Sequence, residues 1–208
     1  MNDMKGIFIT FEGIDGCGKS TQTALCKTWL EELGRNVLLV REPGGTKIGE
    51  RIRELLLDKK NSSMAPMTEL FLFEAARAQI VEETIKPALS EGTIVICDRF
   101  FDSSYAYQGC ARGLGPEMVS RLNKDATGGL APDITFFLDI SVEGAVKRRN
   151  TRGEEKDRIE SAGDSFQEKV REGFILAASG DKRIVTVDAS ADPETIFKQI
   201  QDKIKELL

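Results

Sequence analysis

Apolar and polar residues follow two different periods along this chain, and the two periods alternate. Short continuous apolar runs are typical of buried strands, and they span residues 7–11, 37–40, 93–97, 134–138 and 184–187. Helical spacing of apolar residues predicts helices over residues 20–33, 48–57, 67–89, 116–124, 142–149, 165–178 and 193–208. Strands that alternate with helices predict an α/β fold, in which a five-stranded, mostly parallel sheet is flanked by helices on both faces.

The pattern contains neither an internal repeat nor an interdomain linker, so residues 1–208 are predicted to form a single domain. Pro87 is expected to disturb the end of the long helix over 67–89. A charge-dense segment with several arginines, at about residues 149–158, predicts a short arginine-rich lid.

Composition narrows the classes of function. The formal net charge of −5 argues against a surface that coats nucleic acid. No apolar stretch is long enough to cross a bilayer, and the first strand starts too early for a signal peptide, so we expect a cytoplasmic protein. The absence of histidine excludes Ser-His-Asp and Cys-His catalysis, and the four cysteines lack zinc-like spacing.

The most specific motif is a phosphate-binding loop at residues 13–20, which fits G-x-x-x-x-G-K-S between a predicted strand and a predicted helix. Lys19 is expected to reach the β- and γ-phosphates, and the Ser20 hydroxyl is expected to ligate Mg²⁺. An ordinary glycine-rich turn is the alternative, but the strand–loop–helix context favours the three-layer fold of P-loop NTPases. The predicted ATP-binding residues are Gly13, Ile14, Asp15, Gly16, Cys17, Gly18, Lys19, Ser20 and Thr21.

Two further segments follow predicted strands and therefore lie at the same sheet edge. Asp98 is expected to hold a magnesium-bound water, and the adjacent Arg99 to grip a phosphate; a surface ion pair is the alternative. Residues 41–46, Arg-Glu-Pro-Gly-Gly-Thr, predict a tight turn that permits a cis Glu42–Pro43 bond.

Aromatic and basic residues elsewhere suggest a second ligand. Phe73 and Arg77 lie four residues apart on one helix face, which suits a nucleobase, although plain core packing is the commoner explanation. Residues 103–108 either line a pocket or start a helix. The arginines at 148–152 either close over a phosphoryl group or form a solvated face.

Taken together, these segments resemble the bacterial thymidylate kinases, which are P-loop nucleoside monophosphate kinases. The matching residues run in the family's order at 11–22, 41–46, 73–77, 98–99, 103–108, 152–153 and 157–160. The resemblance implies transfer of the γ-phosphoryl group of ATP to dTMP, giving ADP and dTDP for dTTP synthesis. It also implies Mg²⁺ as cofactor and a homodimer.

The resemblance assigns roles to individual residues. Phe73 is expected to stack on thymine, Arg77 to hydrogen-bond its edge, and Tyr107 to disfavour a ribose 2′-hydroxyl. The remaining implied contacts are those of Ser104 and Gln108 with the nucleoside, Arg53 and Arg99 with the acceptor phosphate, and Asp15 near the 3′-hydroxyl.

The phosphate-binding loop contains no arginine, so the resemblance points to members whose lid supplies the catalytic arginines. The implied catalytic residues are Lys19, Asp15, Arg99, Arg149 and Arg152, and the implied metal ligands are Ser20 and Asp98. Two departures stand out: Phe100 replaces a tyrosine or histidine, and the lid is longer than the family pattern. Because of that length, Arg148, Arg149 and Arg152 all remain candidates for the phosphoryl contact.

Two other functions remain open from the residues alone. One is a P-loop kinase with a different nucleotide or deoxynucleoside as acceptor. The other is a nucleotide-dependent switch that hydrolyses ATP without a second substrate.

Overall fold

The structure is a computed structural model that describes residues 6–152 and 157–208. Its strands are β1 (Phe8–Glu12), β2 (Val37–Arg41), β3 (Ile94–Asp98), β4 (Ile134–Asp139) and β5 (Ile184–Asp188). Its α-helices are α1 (Lys19–Glu32), α2 (Lys47–Leu57), α3 (Pro66–Ile80), α4 (Lys86–Ser90), α5 (Phe101–Ser104), α6 (Pro116–Thr127), α7 (Val142–Arg152), α8 (Asp164–Gly180) and α9 (Pro193–Lys205). Two π-helical segments, Val81–Ile85 and Tyr105–Ala111, continue α3 and α5.

Among the described residues, the strands form one five-stranded sheet in the order β2-β3-β1-β4-β5. Every neighbouring pair is parallel, and the register places Phe11 beside Asp98 on one side and beside Phe136 on the other. The predicted α/β class with five strands is confirmed. Because all strands run the same way, the segments that follow β1, β2 and β3 emerge at one edge of the sheet.

The core lies on both faces of β1, which is buried at every position. Phe11 packs against Phe136 on one side, with ring centroids 5.3 Å apart. Phe8 meets Phe100 edge-on at 4.9 Å on the other side. The unusual phenylalanine at position 100 therefore fills the core and is fully buried.

The helix predicted over 67–89 is present from Pro66 to Ser90, but its hydrogen bonding changes part-way along it. Helix α3 ends at Ile80, and the π-helical segment Val81–Ile85 separates it from α4. Val81 and Ile85 are fully buried there, and Pro87 lies in the first turn of α4, where its missing N–H is tolerated. The Glu42–Pro43 bond is cis, as the sequence permits.

Two other predicted helices are longer in the structure. Helix α6 extends to Thr127 and ends at Gly128, which adopts the left-handed conformation common at helix ends. Helix α7 extends to Arg152, into the predicted lid, although the Arg152 side chain lies outside the described residues. Across residues 6–152 and 157–208, no helix combines the length and apolar character that a membrane crossing requires.

Candidate functional site

The phosphate-binding loop connects β1 to α1. Gly13, Gly16 and Gly18 have positive φ values of 139°, 90° and 105°, a region that favours glycine. Lys19 starts α1, and its Nζ donates hydrogen bonds to the carbonyl oxygens of Gly13 at 3.1 Å and Ile14 at 3.2 Å. The loop thus curls around its own lysine and surrounds a concavity at the helix N-terminus.

Ser20 and Asp98 place two side-chain oxygen atoms close together beside this loop. The Ser20 hydroxyl lies 3.4 Å from Asp98 Oδ2, because the β1–β3 register brings the end of β3 next to the loop. Nowhere in residues 6–152 or 157–208 do three or more His, Cys, Asp or Glu side chains group into a metal centre. A hydroxyl and one carboxylate suit Mg²⁺, which keeps several waters and is completed by substrate phosphates.

A cavity of about 240 Å³, here called the edge cavity, opens in front of the loop. Five lysine and arginine side chains and four carboxyl side chains line it, so cationic groups for a polyanion lie beside oxygen atoms for a metal ion. Its lining residues are Asp15, Gly16, Gly18, Lys19, Ser20, Arg41, Glu42, Arg53, Asp98, Arg99, Arg149 and Glu160.

Arg149 is placed in the edge cavity by close packing of α7 on the loop. A Cβ on Gly16 would lie 2.9 Å from Arg149 Cγ and 2.5 Å from the Ala145 carbonyl oxygen, so only glycine allows this approach. Nε and Nη1 of Arg149 are buried and find no hydrogen-bond partner among the described residues. Buried N–H groups of a cation without a partner are costly, and an anion in the cavity would satisfy them.

Arg148 points to the opposite side of the loop. Its guanidinium donates to the carbonyl oxygens of Cys17 at 3.4 Å and Ala191 at 3.3 Å. It lines a pocket of about 370 Å³, here called the loop pocket, together with Cys17, Gly18, Thr21, Gln22, Ser190, Ala191, Asp192, Pro193 and Ile196. The structure therefore separates Arg148 from Arg149, whereas the Arg152 side chain is outside the described residues.

A second cavity, here called the aromatic cavity, adjoins the edge cavity and has a volume of about 100 Å³. Asp15, Glu42, Arg53 and Arg99 line both cavities. The remaining residues of the aromatic cavity are Pro43, Leu57, Phe73, Ser103, Ser104, Tyr107, Gln108, Asp157 and Ile159. The structure thus brings together Phe73, Ser104, Tyr107, Gln108, Arg53, Arg99 and Asp15, all of which the sequence singled out.

Arg99 is the residue on which the two cavities meet. Its φ is 70°, a strained value for a non-glycine residue. Its guanidinium pairs with Asp15 Oδ1 at 2.6 Å, donates to the Tyr107 hydroxyl at 3.3 Å and lies 5.2 Å from the centre of the Tyr107 ring. Burial alone raises the pKa of Asp15, but the charges of Arg99 and Lys19 outweigh it and lower that pKa to about 2.

Glu12, which the sequence analysis did not single out, holds the backbone turn around Arg99. Its buried carboxylate accepts hydrogen bonds from the Phe100 N–H at 2.7 Å, the Ser103 N–H at 3.3 Å and the Ser103 hydroxyl at 2.6 Å. Desolvation, followed by the charge of Asp102, raises the pKa of Glu12 to about 8. A glutamate that ends an otherwise apolar central strand was the signal available in the sequence.

Arg77 lies behind the wall of the aromatic cavity and does not line it. It is 1% exposed, and it donates to Glu42 at 2.9 Å, Glu74 at 2.7 Å, Ser104 at 3.0 Å and Asn123 at 3.0 Å. Burial raises the pKa of Glu42 to about 7, although the Arg77 charge opposes that rise. The contact of Arg77 with a base edge therefore stays a prediction.

Comparison with known proteins identifies the family. The sequence model of the thymidylate kinase family matches residues 11–200, which is most of the chain. The chain belongs to the thymidylate kinase family. Thymidylate kinases from Thermoanaerobacter sp. strain X514, Caldanaerobacter subterraneus subsp. tengcongensis and Nostoc sp. strain PCC 7120 are 51%, 48% and 46% identical to it. These matches cover 99%, 99% and 96% of this chain and 100%, 98% and 95% of the respective relatives.

Membership of the thymidylate kinase family confirms the resemblance found in the sequence. It does not by itself assign a role to any residue, so the catalytic, substrate-binding and metal-binding assignments rest on the geometry described above. The loop pocket is a feature that the sequence analysis missed, because backbone carbonyls around Ala191 carry no motif.

Proposed function

We propose that the protein transfers the γ-phosphoryl group of ATP to dTMP, giving ADP and dTDP for dTTP synthesis, as membership of the thymidylate kinase family implies. One observation carries the proposal at the level of the site: the edge cavity adjoins the aromatic cavity, and Asp15, Arg53 and Arg99 line both. A triphosphate in the edge cavity and a nucleoside monophosphate in the aromatic cavity would meet at these shared residues.

Alignment and charge neutralisation account for catalysis in this proposal. Lys19 exchanges its bonds to the loop carbonyls for bonds to the donor phosphates, and Arg149 supplies its partnerless N–H groups to the transferring phosphoryl group. Arg99 and Arg53 hold the acceptor phosphate in line. No general base is required, because the accepting phosphate oxygen is already ionised.

Ser20 and Asp98 are the residues that would hold Mg²⁺. When bound, Mg²⁺ would neutralise negative charge on the phosphates during transfer. Asp15 stays ionised at neutral pH beside Arg99 and keeps that arginine oriented. Arg152 is proposed as a further lid contact on the strength of the resemblance alone.

The aromatic cavity would select the acceptor base. Phe73 supplies a ring for stacking, and Gln108 and Ser104 supply polar groups for the edge of the base. A guanidinium carries five N–H groups, and Nη2 of Arg77 uses one of its two on the Phe100 carbonyl, at 3.2 Å. Because Arg77 does not line the aromatic cavity, its contact with the base is proposed from the resemblance alone.

The test is ADP release with ATP and Mg²⁺ across dTMP, dUMP, UMP, dCMP, AMP, GMP and thymidine. We expect dTMP to be strongly preferred. Preference for another acceptor would keep the phosphate-binding assignments and reject the base pocket. Release that is independent of any acceptor would point to an ATPase switch and reject the proposal.

We also propose a single kinase domain and a cytoplasmic location, as the sequence pattern predicts, and a homodimer, as the resemblance implies. Ile48, Leu55 and Phe71 support the dimer, since these large apolar side chains on α2 and α3 are each more than half exposed. Light scattering after size exclusion measures the mass directly, and a monomer at micromolar concentration would reject the dimer.

A further inference from the structure

A buried carboxylate outside both cavities joins two parts of the site. Glu69 on α3 is 1% exposed. It accepts a hydrogen bond from Gln108 Nε2 at 2.9 Å and two from Arg112, through Nε and Nη2, both at 3.1 Å. Arg158 Nη2 forms an ion pair with Glu69 Oε2 at 2.7 Å, the same oxygen that accepts from Arg112 Nη2. Glu69 therefore holds side chains from two separate segments in one cluster.

The first of these segments forms a wall of the aromatic cavity. Gln108 and its neighbour Tyr107 line the cavity from the π-helical segment Tyr105–Ala111. Phe73, four residues after Glu69 on the same face of α3, also lines this cavity. By binding Gln108, Glu69 fixes the spacing between the polar group and the ring that would hold the acceptor base.

The second segment is the post-lid turn, defined here as residues 157–162. Arg158 Nε donates to the Leu56 carbonyl at 2.7 Å, and the Arg158 N–H donates to the Leu57 carbonyl at 3.2 Å. Asp157 and Ile159 on either side of Arg158 line the aromatic cavity. Through Arg158, Glu69 therefore also secures the chain where it leaves the predicted lid.

The surroundings of Glu69 stabilise its ionised form. Burial on its own raises the pKa of Glu69, but the hydrogen bonds of Gln108 and Arg112 outweigh it and lower that pKa below its usual value. Removing one partner from a buried charge pair is far more damaging than losing a surface pair, because the other charge stays buried. The geometry of Gln108 and Arg158 thus depends on the charge of Glu69.

We propose that Glu69 is a positioning residue. It holds Gln108, which would contact the base, and Arg158, which anchors the chain after the lid, in fixed positions relative to each other. This inference rests on the proposed function, since it assumes that the aromatic cavity takes the acceptor nucleotide. One carboxylate would then connect the residues that recognise the acceptor with the segment that follows the lid. Glu69 itself touches no reacting group.

The experiment compares steady-state kinetics of Glu69→Gln, Arg158→Gln and the double variant with wild type. We expect Glu69→Gln to raise the KM for dTMP about tenfold and to lower kcat about tenfold, with the KM for ATP changed less than about threefold. Arg158→Gln should lower kcat about tenfold with little change in the KM for dTMP. The double variant should have the kcat of Glu69→Gln alone, because both changes break the same link.

The matched control is Arg171→Gln. Arg171 forms a bidentate pair with Asp139, at 2.7 and 3.0 Å, and lines neither cavity. It should lower the melting temperature without changing the KM for dTMP. If Glu69→Gln does not fold, Glu69→Asp keeps the charge with a shorter reach and should give a smaller rise in the same KM.

This inference is overturned if the folded Glu69 variants have an unchanged KM for dTMP and only a lowered melting temperature, as in Arg171→Gln. Glu69 would then form an ion pair that contributes to stability alone. That outcome differs from failure of the proposed function, in which the wild-type enzyme itself would not phosphorylate dTMP.

Discussion

Gly16 offers the sharpest test of how the phosphate-binding loop positions Arg149. Its φ is 90°, and a Cβ at this residue would lie 2.5 Å from the Ala145 carbonyl oxygen. The Gly16→Ala substitution must therefore push α7 away from the loop. Because Arg149 projects from α7 into the edge cavity, we expect its guanidinium to move away from the donor phosphates.

The magnitude follows from two separable terms. A side chain in the left-handed region costs about 1–2 kcal/mol, and forced overpacking costs a further 1–3 kcal/mol or so. Gly34 isolates the first term, since its φ is 75° and nothing lies within 4 Å of an added Cβ. For a chain of this size, about 1 kcal/mol lowers the melting temperature by about 2–4 °C, so Gly16→Ala should melt at least about 2 °C below Gly34→Ala.

Catalysis gives the decisive readout. A displacement of about 1 Å at a reacting centre costs about a hundredfold in rate, so kcat of Gly16→Ala should fall by about that factor. The KM for dTMP should change little, because Phe73 and Gln108 lie away from the loop–α7 contact. Gly34→Ala should keep its kcat. Equal kcat values for the two variants would refute the claim that packing on Gly16 sets the position of Arg149.

Three further results are expected. Lys19→Ala should lower kcat by about a thousandfold or more while circular dichroism stays that of the wild type, and near-normal turnover would contradict the loop assignment. Because the pKa of Asp15 is about 2 in the folded protein and near 4 in the unfolded chain, ionised Asp15 stabilises the fold above pH 4. In urea unfolding, the free energy of unfolding of the wild type should therefore exceed that of Asp15→Asn by roughly 2 kcal/mol at neutral pH, and this difference should shrink as the pH falls from 4 to 2. EDTA should abolish ADP release but leave dTMP binding, measured by calorimetry, intact. The reason is that Ser20 and Asp98 line the edge cavity and not the aromatic cavity. Loss of dTMP binding would instead place the metal at the acceptor.

The strands and the phosphate-binding loop could be predicted closely because their signals are local. A parallel strand buried on both faces must be apolar at consecutive positions, and the strand predicted over 93–97 differs from Ile94–Asp98 by one residue at each end. The loop motif contains its own geometry, since its two fixed glycines, Gly13 and Gly18, have the positive φ values that the turn requires.

The remaining features depend on contacts that periodicity does not encode. The helix predicted over 67–89 is present, but its shift to π-helical hydrogen bonding after Ile80 depends on how Val81 and Ile85 are buried in the core, which periodicity does not encode. Glu12 and Glu69 are single carboxylates in the sequence, and only their partners from distant segments make them structurally important. Tertiary packing also places Arg77 behind the cavity wall, although its spacing from Phe73 was correctly recognised.

The π-helical segment Tyr105–Ala111 changes how insertions and deletions in this part of the chain should be interpreted. The Arg112 N–H bonds to the Tyr107 carbonyl five residues earlier, at 2.8 Å, so the segment holds one residue more than a regular α-helical turn. Deleting that residue would produce a more regular helix and leave the chain beyond it in about the same orientation, so the change would be confined to the side chains of this one turn. In an alignment with another P-loop protein, a one-residue gap here therefore marks a different turn beside Tyr107 and Gln108, which line the aromatic cavity, and not a neutral difference in loop length.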